Sequence, residues 1–404
     1  METAIPQHLL TNPDIAEAEA ILRSCVHCGF CTATCPTYQL LGNELDSPRG
    51  RIYLIKDMIE GHAATARTRL HLDRCLTCRS CETTCPSGVQ YGRLIDIGRQ
   101  EIERRTSRPL RERLLRRLLL AVLPHPRLYA HALGMARIAR PFLPAFLREM
   151  IPLRRAAGSL PLPVHSRKML LLEGCVQPAS VPATNAAAAR VLDKFGISLI
   201  SVPGADCCGA LHQHLSEAEA ARAVMRRNID AWWPFVEQGA EAIVITASGC
   251  SQMVKEYGHL LRHDRDYAAK AAHIAVLTRD LSEVVQAQNL DRLNSTGRGM
   301  RVAYHSSCTL QHGQKLGGTV EGILRRCGYT LTSVADSHLC CGAAGTYMLT
   351  QPELSRRLLG NKLAALQQEG PDVIASANIG CQLQLASKAG VPVKHWIELL
   401  DENP

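Results

Sequence analysis

Aromatic side chains are scarce in this chain of 404 residues, at 4%, with three Trp, nine Tyr and five Phe. So few π-faces weigh against a single-strand nucleic-acid groove, in which successive bases stack on aromatic rings, and no nucleic-acid partner is expected. Long hydrophobic runs are missing too: nothing approaches the ~20 apolar residues needed to span a bilayer. The opening stretch, METAIPQHLLTNPDIAEAEA, lacks the basic segment followed by an apolar one that marks a secretory signal. A cytoplasmic location is therefore expected.

Apolar content of 46% and charged content of 21% are ordinary for a globular protein, and the length suggests two or three domains. Cysteine is not ordinary. Seventeen is an odd number, in a chain much larger than the small secreted domains that depend on disulfides. Thiols in such a chain are expected to hold metal or to do redox chemistry. The net charge of +9 is concentrated in one place. Between Arg104 and Arg155 lie 13 Arg, no Lys and only Glu112 and Glu149, a local net of +11 against −2 for the remainder. Six prolines, from Pro109 to Pro152, punctuate this belt, which reads as short broken helices.

Residues 25–36 read CVHCGFCTATCP and residues 75–86 read CLTCRSCETTCP. Both are C-x2-C-x2-C-x3-C-P, the run of bacterial two-cluster ferredoxins. Three thiolates at two-residue intervals wrap a tight loop around one cluster, and the fourth, followed by a helix-stopping Pro, reaches the neighbouring one. One [4Fe-4S] cluster is therefore assigned to Cys25, Cys28, Cys31 and Cys85, and the other to Cys75, Cys78, Cys81 and Cys35. Structural zinc is the alternative, but it leaves the third Cys and the terminal Cys-Pro of each run without a role. Between the runs, Ile52, Leu54, Ile55, Met58 and Ile59 recur at helical spacing and predict a core helix over the clusters. Arg49 and Arg51 beside it are candidates either for hydrogen bonds to cluster sulfurs or for the surface.

From Lys168 onward, short β-rich runs alternate with helical ones, and the order repeats. KMLLLEGC ends at Cys175, ISLISVP leads to Cys207-Cys208-Gly209, and EAIVITASGC ends at Cys250. Then MRVAYHSSC ends at Cys308, YTLTSVADSHL leads to Cys340-Cys341-Gly342, and PDVIASANIGC ends at Cys381. This is an internal duplication, and strand–helix alternation predicts a parallel sheet in each copy. Ligands of open parallel sheets gather at the carboxyl ends of strands, so four thiols per copy are expected to converge. A cubane cluster, a zinc ion, a thiol–disulfide pair and a vestigial site all remain open for Cys175, Cys207, Cys208 and Cys250, and for Cys308, Cys340, Cys341 and Cys381. Cys327 is left over, expected mid-helix in the core. His212, His214, His305, His312 and His338 fall near the same strand ends. No G-x-G-x-x-G follows a strand, no P-loop is present, and no nucleophile–base arrangement can be placed, so no catalytic residue is assigned.

The stretches CVHCGFCTATCPTYQLLGNELDSPRGRIYLIK, LDRCLTCRSCETTCPSGV, NIDAWWP, SHLCCGAAGTY, ANIGCQ and VKHWIE resemble the iron–sulfur subunits of glycolate oxidase (glycolate dehydrogenase). They belong to a larger group with a two-cluster ferredoxin head and a tandem cysteine-rich "CCG" body. The resemblance implies an α+β chain: a helical 2[4Fe-4S] ferredoxin-like domain at 1–103, a basic helical connector at 104–167, and CCG α/β domains at 168–295 and 296–404. It implies flavin-binding partner subunits, with FAD on them and not on this chain, that oxidise glycolate and by extension D-lactate. Electrons would pass through the clusters to a quinone-type acceptor. In heterodisulfide reductase relatives each CCG unit continues C-x2-C and houses a non-cubane cluster. Here Met253 and Gln384 stand at those positions, so that cluster is not carried over. A thiol–disulfide reductase working at the CCG cysteines is the rival activity. For the belt, Leu110, Leu114, Leu115, Leu118, Leu119 and Val122 trace one helical face. It is expected either to dock on the body or on an acidic partner, or to rest peripherally on the cytoplasmic face of the inner membrane.

Overall fold

In the computed structural model, residues 1–401 are described apart from 145–147, 150, 154, 155, 163, 294–296 and 298. The chain divides into two compact units. The first comprises Met1–Arg117 together with Gln213–Ala218 and His338–Lys362; the second takes the remainder.

The first unit is helical. Asn12 and Ser47 each cap a helix with Pro at its first position, Pro13–Ser24 and Pro48–Ile59, their side-chain oxygens accepting from Asp14 and Gly50 backbone N–H groups. These helices and Tyr91–Arg105 bury Leu22, Ile55, Met58, Leu94, Ile95 and Ile102 in one core. Full burial of each such side chain stabilises by about 1.5–3 kcal/mol. The helices meet closely at Gly98, where an added Cβ would lie 2.6 Å from Ile55. The expected helix between the cysteine runs is present, with Leu54 half-buried and its four companions buried.

The second unit holds two parallel four-stranded sheets. The strands are β1 Arg167–Leu172, β2 Ile197–Ser201, β3 Ile243–Ile245, β4 Thr278–Asp280, β5 Arg301–His305, β6 Thr330–Leu331, β7 Val373–Ser376 and β8 Val393–His395. Their orders are β2-β1-β3-β4 and β6-β5-β7-β8, so the duplication extends to strand order. The inner strands read as unbroken apolar runs (LLL, IVI, VIA) because helices cover both faces. Val191, Leu192 and Ile197 of the first copy share a core with Val302, Leu324, Val373 and Trp396 of the second.

One local expectation is corrected, and two features are added. Cys327 is buried, but it caps the C-terminus of helix Thr319–Arg326 instead of lying within it. The fourth strand of each sheet escaped the pattern, because TRD and VKH are three residues long with at most one apolar side chain. The belt does form helices, Leu110–Val122 and Pro126–Ala139, broken at Pro124 and Pro126. Its leucine face is not buried, however. Only Leu119 is buried on the first helix, while Leu110, Leu114 and Leu118 are 71%, 63% and 61% exposed.

Candidate iron–sulfur centres

Each C-x2-C-x2-C loop turns on two left-handed residues at equivalent positions: His27 and Gly29 in the first, Thr77 and Arg79 in the second. Alternating handedness points successive N–H groups inward and builds a concavity suited to an anion. The third Cys then enters a single helical turn, Phe30–Ala33 or Ser80–Thr83. The fourth is directed away; Pro36 begins the next helix immediately after Cys35.

The loops bound two cavities. One, of about 430 Å³, is lined by Cys25, Cys28, Cys31 and Cys85 with Arg49, His27, Val26 and Val89. The other, of about 290 Å³, is lined by Cys35, Cys75, Cys78 and Cys81 with Thr37, Arg51 and Arg79. Cys81, Pro48 and Tyr91 border both, so the cavities share a wall. Among the described residues, no three of these eight sulfurs lie within 4.8 Å of one another, the convergence one ion requires. Four thiols around an open volume instead suit a cuboidal cluster. Burial pushes the Cys31 thiol up to about 11, against a backbone N–H bond from Arg49, with neighbouring cysteines adding to the rise. Burial likewise lifts Cys81 well above the ordinary thiol range. A cationic metal centre bound here would stabilise the thiolates of its cysteines and release their protons.

The two cavities differ in their surroundings. At the first, Arg49 donates from Nε to Glu44 Oε1 at 2.7 Å, and both side chains are partly exposed. At the second, Arg51 is fully buried, Tyr91 Oη lies 3.7 Å from Cys75 Sγ, and Thr37 Oγ1 lies 3.3 Å from Cys35 Sγ. Arg99 donates to the Cys75 carbonyl at 2.6 Å. Tyr91, Thr37 and Arg99 carry no motif in the sequence; the packing of helix Tyr91–Arg105 against the loops brings Tyr91 and Arg99 here, while Thr37 sits two residues after Cys35 in the helix that Pro36 begins.

The first CCG set does come together. Cys175 follows β1, Cys207-Cys208 follow β2, and Cys250 lies in the first turn of helix Ser248–Lys255 after β3. Cys207 accepts thiol hydrogen bonds from Cys175 and from Cys208, and Cys208 also bonds Cys250. The thiols of Cys175 and Cys208, with Gly209 N–H at 3.4 Å, hold the Cys207 thiol below its ordinary range. Gly209 has φ 88°, which frees its N–H to face the sulfur. Gly342 repeats this at φ 85°, donating to Cys340 Sγ at 3.4 Å. In the second set, Cys308 follows β5 and Cys381 lies in helix Ile379–Ala386, both in the second unit, whereas Cys340 and Cys341 belong to the first. All four are buried. Among the histidines, His214 approaches Asp96 at 3.8 Å within the first unit, and His305 is buried in β5.

Comparison with known proteins places these features in a family. A 4Fe-4S dicluster domain model matches residues 21–89, and a cysteine-rich domain model matches residues 169–255 and again 302–386. The chain is 52% identical over 403 residues to the glycolate oxidase iron-sulfur subunit of Escherichia coli (strain K12), covering 100% of this chain and 99% of that protein. It is 30% identical over 401 residues to the probable glycolate oxidase iron-sulfur subunit of Bacillus subtilis (strain 168), covering 91% and 89%. Lactate utilization protein A of Bacillus licheniformis is 26% identical over 228 residues, 54% of this chain and 92% of that protein. Similarity of this extent, running through the head and both cysteine-rich repeats, makes the chain a member of the glycolate oxidase iron–sulfur subunits.

Proposed function

We propose that this chain is the electron-relay subunit of a membrane-associated, flavin-dependent glycolate dehydrogenase. It would take electrons from glycolate, or D-lactate, oxidised on FAD-bearing partner subunits and pass them toward a quinone-type acceptor. The observation that carries this reading is the pair of four-cysteine cavities sharing a wall inside one helical head. Cys25, Cys28, Cys31 and Cys85 hold one cluster, and Cys75, Cys78, Cys81 and Cys35 the other. When bound, the clusters supply one-electron storage in immediate succession. The chain's residues set the conditions: the left-handed loops aim N–H groups at the sulfurs, Tyr91 donates its hydroxyl to Cys75, Thr37 Oγ1 lies beside Cys35 while donating to the Asp46 carbonyl, and the core of the head packs around both loops. The chain divides functionally into the head at 1–103, the belt at 104–167 and the repeats at 168–295 and 296–404. No helix among the described residues is long and apolar enough to cross a membrane, so contact with the inner leaflet would be peripheral, through the basic, leucine-bearing belt.

The test is iron analysis and EPR of the purified full chain after dithionite reduction. About eight iron per chain and signals from two reduced clusters are expected; a chain with no such iron sinks the reading. A second reading has one specific observation behind it, the buried chain of four thiols in which Cys207 bonds Cys175 and Cys208, and Cys208 bonds Cys250. It makes the first CCG set, and by symmetry Cys308, Cys340, Cys341 and Cys381, a further metal or thiol–disulfide site. If Cys207→Ser and Cys208→Ser leave iron content and glycolate-dependent dye reduction intact, that second reading loses its basis.

A further inference from the structure

We propose that Arg51, acting with Thr37, makes the cluster position formed by Cys35, Cys75, Cys78 and Cys81 the more easily reduced of the two, the electron sink of the head. This rests on the ligand assignment proposed above. Arg51 is a charged side chain only 1% exposed, a state that residue type almost never adopts unpaired. Its Nε donates to the His71 carbonyl at 2.7 Å and its Nη2 to Thr37 Oγ1 at 3.1 Å. Thr37 Oγ1 in turn lies 3.3 Å from Cys35 Sγ. Thr37 accepts from Arg51 and donates to the Asp46 carbonyl at 2.9 Å, which fixes its hydroxyl oxygen beside the Cys35 sulfur and links Arg51 to that ligand through one side chain. Asp46, the carboxylate paired with Arg51 among the described residues, is 3.6 Å from it but is shared with Arg74 at 2.9 Å and His71 at 2.9 Å. Two guanidiniums thus face one carboxylate.

Adding an electron makes a cluster more negative. Donors aimed at its sulfurs and fixed cations nearby favour that state, whereas burial alone opposes it. Burial also strengthens a cation that lies inside with the cluster, since the local dielectric is low. Arg51 is such a cation. Its counterpart, Arg49, is partly exposed and tied to Glu44 at 2.7 Å, where solvent screens both charges. The asymmetry of the two cradles therefore comes from which guanidinium is inside. One electron at a time arrives from the reduced flavin of the partner, and no bond or proton changes at Arg51 or Thr37.

An EPR-monitored redox titration of the iron-loaded full chain, with dithionite as reductant, decides the matter. Wild type is expected to show two reducible steps. Arg51→Gln and Thr37→Val should each lower the higher-potential step and leave the other in place, and Arg49→Gln should move only the lower one. Thr37→Val keeps the side-chain shape, so it decides even if Arg51→Gln fails to load iron. Full iron with an unmoved higher step in Thr37→Val, or a shift confined to the lower step, overturns the proposal. A wild-type chain without two steps instead removes the ligand assignment beneath it.

Discussion

His395 shows at single-residue scale how burial fixes a protonation state. Its Nε2 donates to the Thr246 carbonyl at 2.9 Å, and its Nδ1 accepts from Ile397 N–H at 3.3 Å, which only the neutral ring can do. Burial accordingly holds it down to about 4. The unfolded chain takes up this proton near 6.5, the folded chain only near 4, so the unfolded state binds more protons throughout that window. Stability is then flat above about pH 6.5 and falls by about 3 kcal/mol on acidification toward pH 4. Thermal unfolding of the full chain at pH 8 and pH 5 should show the loss, and His395→Gln should flatten it. An unchanged slope in the variant would contradict this account. Arg108 is a second case. It is buried among Asp73 at 2.6 Å, Glu112 at 3.2 Å and Glu103. Truncation to Ala removes the most buried cation of this cluster and leaves Arg116 alone to pair with Asp73 and Glu103, so it should cost about 1–3 kcal/mol, read as a lowered unfolding midpoint; Arg108→Lys should recover only part of it, because one ammonium cannot match the planar fork.

At the scale of elements, the belt helices show what periodicity conveys and what it omits. The spacing of Leu110, Leu114 and Leu118 defines a face, but no local pattern says what covers it. The structure leaves it open, with Arg111, Arg113 and Arg117 exposed around it. Arg116 points the other way, bound to Asp73 at 3.2 Å and Glu103 at 3.4 Å, so part of the positive charge is structural. Of the eighteen large apolar side chains exposed among the described residues, eleven lie between Leu110 and Val164. Co-sedimentation of the full chain with anionic vesicles is expected, weakening with added salt, and Leu114→Glu with Leu118→Glu should abolish most of it. Binding indifferent to both salt and these substitutions would exclude the membrane reading. The cluster loops were legible because spacing alone dictates their turns. β4 and β8 were not, since three residues carry too little periodicity. Tyr91 and Arg99 could not be read as neighbours of Cys75, because the packing that puts them there depends on a separate helix, Tyr91–Arg105.

At the scale of the whole molecule, the crossed arrangement of cysteines makes the two halves of the head interdependent. Cys35 lines the cavity of Cys75, Cys78 and Cys81, while Cys85 lines that of Cys25, Cys28 and Cys31. Cys35→Ala should therefore disturb the EPR signal belonging to the later loop, and Cys85→Ala that of the earlier one. Loss assigned to the mutated residue's own loop would refute the crossing. The duplication was legible from Cys spacing, and the common strand order completes it.

The first unit also takes in chain from far downstream. Tyr347 Oη donates to the Arg74 carbonyl at 3.1 Å, and Arg357 to the Leu40 carbonyl at 3.0 Å. The contacts join residues 273 and 317 positions apart, so a ribosome that has just released Cys85 has not yet made the segment that completes this unit. A nascent or truncated N-terminal fragment therefore lacks part of the unit that holds the two cysteine runs. Biogenesis of this subunit is in that sense timed by its own topology.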